Sequence, residues 1–150
     1  MKSEWRYEAT SGAIKLGLDT NNAHVQPNGS YHYHALPRDL ENELDLKREN
    51  LHSPLIGWAA DGFPIFGATG DKANKNLVEN KSSYRLKIGE RPSQKFNPGG
   101  IYVGTFISDF YYDEDYGTLD QCNGRLSITP EFPEGIYCLL YTSDAADERS

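Results

Sequence analysis

The residues best suited to chemistry crowd into one short stretch of the chain. AHVQPNGSYHYHALP, residues 23–37, carries His24, His32 and His34, and the fourth histidine, His52, follows soon after. Imidazole nitrogens are borderline-soft donors that suit Zn and Cu. Three of them on one ion leave a fourth coordination position open for water or a reactant. An oxygen ligand or proton acceptor would have to come from another turn, and Asp61 and Asp120 are the carboxylates to watch. His52 is a further candidate ligand. Each has a structural alternative: His52 as a loop residue, Asp61-Gly62 as a turn pair, and Asp120 as the residue that orients the Asn123-Gly124 turn.

Whether the three histidines can meet depends on the hairpin that holds them. Pro27 lacks the backbone N–H that a two-residue Asn28-Gly29 loop would require of it. It suits the second position of a type I turn, with Gly29 left-handed, which makes a three-residue hairpin with a bulge. In that register Gln26 faces Ser30, Val25 faces Tyr31, His24 faces His32, Ala23 faces Tyr33 and Asn22 faces His34. Side chains alternate along a strand, so His24, His32 and His34 share one face while Val25, Tyr31 and Tyr33 take the other. A two-residue register would strand His24 among the tyrosines. Two readings of the shared face stand open: a metal site, or an ordinary polar outer face with the tyrosines packed inward.

The surrounding chain has the rhythm of short strands and turns. Turn signals at Pro27-Asn28-Gly29, Asp61-Gly62, Pro98-Gly99-Gly100, Asn123-Gly124 and Pro133-Glu134-Gly135 separate apolar and aromatic runs. The runs are Leu55 to Trp58, Phe63 to Phe66, Ser83 to Ile88, Ile101 to Ile107, Phe110 to Tyr112 and Leu126 to Thr129. They predict a mainly β domain, an antiparallel β-sandwich or partly closed barrel, with one short helix from about Pro37 to Arg48. Pro37 suits the first helical position, Asp39 and Glu41 the positive end of the dipole, and Lys47 and Arg48 the negative end. Residues Ala68 to Lys81 read as a polar surface loop.

Composition narrows the function classes. The 150 residues carry a formal charge of -7 and no clustered basic patch, which argues against nucleic acid as a partner. No apolar run approaches the ~20 residues of a membrane span, and MKSEWRYEAT shows no signal peptide. Trp58, Phe63 and Phe66 are expected in the core, Cys122 as a buried thiol or half of a disulfide, and the run Asp109 to Asp115 as a solvated acidic loop rather than a calcium site.

NNAHVQPNGSYHYHALP, LIGWAADGFPIFG and LDQCNGR, in that order, resemble the YHYH domain family, whose name is the tetrapeptide Tyr31-His32-Tyr33-His34. The resemblance runs from about Trp5 to Tyr137. It implies an exported protein, extracellular or periplasmic, and a C-terminal strand, but supplies no activity, so whether the chain is an enzyme stays open. The last thirteen residues, CLLYTSDAADERS, resemble a translated sequencing adapter. The expected division is therefore a truncated domain over residues 1–137 and a non-native tail over 138–150. The expected function is Cu or Zn binding through the histidine hairpin. The alternative is a noncatalytic extracellular module that binds carbohydrate or a protein partner through its tyrosines.

Overall fold

The computed structural model describes residues 5–46, 52–67, 80–93 and 97–141. The domain is mainly β with one helix, as the turn and strand pattern predicts, but its strands form three small sheets and close no barrel among the described residues. Strands β1 (Ala23–Val25) and β2 (Tyr31–Tyr33) make an antiparallel hairpin. The helix α1 (Arg38–Leu46) follows it directly. Then come β3 (Leu55–Trp58), β4 (Pro64–Phe66), β5 (Tyr84–Leu86), β6 (Phe110–Tyr112), β7 (Gly124–Ser127) and β8 (Ile136–Leu140). A four-stranded sheet runs β3-β4-β8-β7, and β5 pairs with β6 as a separate ribbon.

The principal core lies on the four-stranded sheet. Phe66 from β4 and Cys138 and Leu140 from β8 pack with Leu119, and Leu55 and Phe132 close the edges. Cys138 and Leu140 are two apart, so the alternation of a strand sends both side chains to the same face. Strand β8 thus spans Tyr137 and the residues after it, and it runs parallel to β4. A parallel pair needs a long crossover. Here that crossover includes the β5–β6 ribbon and β7, a departure from an all-antiparallel arrangement.

Three other expectations are corrected. The run Ile101 to Ile107 is not a continuous strand: Ile101 bridges Glu90, Phe106 bridges Tyr7, and a 3-10 turn begins at Ile107. Gly104, at φ 81°, interrupts the extended backbone between the two bridges. Trp58 and Phe63 are exposed, and only Phe66 of that trio is core. The acidic run is not simply a solvated loop. Asp109 is fully buried and accepts from Arg91 Nε and Nη2 at 2.7 and 2.6 Å, while Asp113 pairs with Arg85 at 2.8 Å. Burial alone would raise the Asp109 pKa, but the Arg91 guanidinium and the backbone amide of Phe106 hold it below the usual carboxylate range.

Helix α1 is held against the segment that leads into the hairpin. Asn21, just before β1, accepts through Oδ1 from the first-turn amides of Asp39 and Leu40 at 3.0 and 3.2 Å, while Thr20 hydrogen-bonds the Asp39 carboxylate. Asn22 donates from its side chain to the Leu36 carbonyl at 2.8 Å. At φ 54°, Asn22 takes the left-handed conformation that Asn tolerates better than most residues, turning the chain into β1. The helix starts beside Pro37 as predicted; Lys47 and Arg48 lie outside the described residues, as does most of the predicted loop from Ala68.

Candidate metal centre

The hairpin adopts the register that Pro27 demands. His24 pairs with His32, Val25 with Tyr31 and Ala23 with Tyr33, and the His34 amide continues the ladder to the Asn22 carbonyl at 2.8 Å. Gly29 is left-handed at φ 86°, and its amide reaches the Gln26 carbonyl at 2.8 Å. The result is one face of three histidines.

The orientation of the two faces is the reverse of the inward-tyrosine reading. Tyr31 and Tyr33 are 48% and 41% exposed and Val25 is 61% exposed, whereas all three histidines are half-buried. Tyr31 also donates its hydroxyl to Asp19 at 2.6 Å. That bond to a carboxylate pushes the Tyr31 pKa up to about 12 and lowers that of Asp19.

On the histidine face the rings form a near-equilateral triangle, with centroids 4.7, 5.0 and 4.6 Å apart. One ligand nitrogen from each lies within 4.8 Å of the others. His24 Nδ1 is 2.9 Å from the Leu16 carbonyl oxygen. A carbonyl can only accept, so Nδ1 carries the proton and Nε2 presents a lone pair to the cluster. His34 Nε2 lies 3.2 Å from that lone pair and must therefore donate to it. Two nitrogens bound to one tetrahedral ion at about 2.0–2.1 Å would stand roughly 3.3 Å apart, so this pair already has the separation an ion requires. The His34 pKa is lowered, first by burial and then by the neighbouring histidines, with Glu8 acting in the opposite sense. The neutral form that ligates metal is thereby favoured.

The other sequence candidates do not join this triangle. His52 Nδ1 contacts the Ser53 carbonyl oxygen at 2.9 Å, and its ring packs edge-on against Phe66. Asp61 sits exposed in the turn closed by the Gly62 amide and the Ala59 carbonyl. Asp120 accepts from the amides of Cys122 and Gly124 at 2.8 and 2.9 Å through one oxygen, and from the Tyr137 hydroxyl at 2.7 Å through the other. Burial would raise the Asp120 pKa, but these three donors hold it below the usual range. Among the described residues, His24, His32 and His34 alone form a cluster with metal-ligand spacing. Cys122 and Cys138 are both free thiols, and Cys122 is exposed rather than buried.

Two contributors to the site escaped the sequence. The Leu16 carbonyl orients His24, and no sequence signal could mark it because every residue carries a carbonyl. Glu8, which acts on His34, is anchored by the Thr10 amide and hydroxyl at 2.9 and 2.8 Å. Glu8 lies outside the hairpin in sequence, and its segment is tied to the body by the bridge of Tyr7 to Phe106, by the Glu8 amide donating to the Thr105 carbonyl at 3.0 Å and by Trp5 Nε1 donating to Asn97 Oδ1 at 2.9 Å.

The sequence model described as YHYH protein matches residues 1–147. Comparison with curated proteins and with solved structures returned no match. No helix among the described residues is long and apolar enough to cross a membrane.

Proposed function

We propose that this chain, which belongs to the YHYH protein family, binds one Cu or Zn ion through His24, His32 and His34. The observation that carries the reading is the 3.2 Å contact between His34 Nε2 and His24 Nε2, with His24 held from behind by the Leu16 carbonyl. An N–H shared between two imidazoles occupies the place of an ion between them. Metal entry needs only that this proton leave Nε2 of His34, since neutral imidazole can carry its proton on Nδ1 instead. The Leu16 contact is the kind of outer partner that fixes a ligand's tautomer and ring angle. Nitrogen-only donors of this softness favour Zn and Cu over Mg or Ca.

Three protein ligands leave an open position, and the reaction classes accessible to such an ion are metal-assisted hydrolysis and, for Cu, redox chemistry. The extracellular or periplasmic setting rests on the family resemblance alone, and fractionation of the producing cells tests it. The test of the metal reading is elemental analysis after separate reconstitution with Cu and Zn, beside a His32→Ala/His34→Ala variant. About one ion per chain, lost in a variant that keeps its circular dichroism, is expected. No stoichiometric metal in the unmodified chain would sink the reading.

A second reading has its own observation. Val25, Tyr31 and Tyr33 form an exposed apolar and aromatic face on the opposite side of the hairpin, the kind of surface that stacks on carbohydrate or a protein partner. A module working this way would lose its ligand on Tyr31→Ala/Tyr33→Ala substitution and would ignore chelators.

A further inference from the structure

A cleft of about 340 Å³ opens beside the histidine triangle, between the hairpin and the four-stranded sheet. His34 forms one wall. Cys122, Asn123 and Tyr141 add polar groups, and Ile65 and Leu139, cross-strand partners on β4 and β8, belong to its apolar lining. Among the described residues that line it there is no Asp, Glu, Lys or Arg. That composition matters because, in the metal-free chain, a charged ligand entering such a space would give up its hydration without meeting an opposite charge. An uncharged ligand with one polar end avoids that cost. Two of its lining residues, Tyr141 and Asn123, carry side-chain hydrogen-bond donors, and the Asn123 side-chain oxygen already accepts from Ser82 at 2.9 Å.

We infer that this cleft binds a small uncharged hydroxyl compound, a phenol or an alcohol. Its apolar body lies against Ile65 and Leu139, and its oxygen points toward His34. The cleft's size fits a single small molecule, and mixed lining with a few convergent polar groups is the usual character of ligand sites. This inference goes beyond the metal reading and concerns the cleft of the metal-free chain, since a bound ion would itself supply the opposite charge that the described lining lacks. Occupancy of the cleft does not require the ion.

Cys122 provides the test, because its thiol is exposed in the cleft wall while Cys138 is buried. The rate of iodoacetamide alkylation of Cys122 is followed by mass spectrometry in the metal-free chain, with phenol as the probe and benzoate as its charged counterpart. Phenol is expected to slow the alkylation saturably, and benzoate to need roughly tenfold higher concentration for the same protection. Alkylation that ignores phenol, or equal protection by benzoate, would overturn the inference. Elemental analysis of the same preparation after Cu or Zn reconstitution reads the metal hypothesis separately, so protection by phenol without bound metal would break the metal reading and leave the cleft.

Discussion

The histidine hairpin and the turn from Asp120 to Gly124 both place acid-base residues beside tight turns, yet they use them in opposite ways. Both oxygens of the Asp120 carboxylate are engaged, by the Cys122 and Gly124 amides on one side and the Tyr137 hydroxyl on the other. Its hydrogen-bonding capacity is spent on shaping the turn and tying β7 to β8. In the hairpin the backbone satisfies itself through the ladder and the Gly29 turn, so the imidazoles are not needed to hold the loop. They turn on one another instead. A polar side chain is available for ligand chemistry where the local backbone has no use for it, and the same test explains why Asp109, locked to Arg91, is structural.

Breaking each side of this contrast should give different phenotypes. The largest effect is expected from His32→Ala/His34→Ala, which should weaken Cu or Zn affinity by well over roughly a hundredfold, since outer-sphere partners alone are worth about 10–100-fold. Isothermal titration with a competing chelator reads the loss, and unfolding in urea should show little change. Asp109→Ala acts the other way. It leaves the Arg91 charge buried without its partner and should cost about 3–5 kcal/mol of stability in urea unfolding. Metal stoichiometry in the surviving folded fraction should stay at one.

Gly124→Ala sharpens the comparison at the turn. A Cβ there would sit 2.2 Å from the Tyr137 hydroxyl oxygen, which is already bonded to Asp120. The clash should cost about 1–3 kcal/mol, seen as a lower midpoint in urea. The pH dependence is gentler. The folded-state pKa of Asp120 lies below its unfolded value, so its stabilisation is complete above about pH 4 and is lost as pH falls through the lower folded value. Urea midpoints measured downward from pH 5 should decline, and Asp120→Asn should flatten part of that slope. The smallest effect is expected for Asp61→Asn, on an exposed turn outside the histidine cluster: metal content and midpoint should both match the unmodified chain. A loss of metal there would mean that the three histidines are not the complete ligand set.

What the sequence determined by itself is local. Pro27 lacks an N–H and Gly29 tolerates a left-handed backbone, so the turn type follows from those residues. Strand alternation then carries the register to His24, His32 and His34. The exact strands at Leu55–Trp58 and Phe110–Tyr112 were legible for the same reason, as were the helix start beside Pro37 and the turn role of Asp120. Each depends on sterics and hydrogen bonds within about ten residues.

Tertiary structure decided which face of the hairpin looks inward. Alternation separates histidines from tyrosines but assigns neither to the interior. That choice depends on the segments packed nearby, including Leu16 behind His24 and the Asn21 and Asn22 side chains that join the hairpin to α1. Pairing of β4 with β8, exposure of Trp58, and conversion of Ile101–Ile107 from a strand into two bridges and a 3-10 turn have the same origin. An apolar or aromatic residue states that it can be buried, whereas a partner distant in the chain decides whether it is.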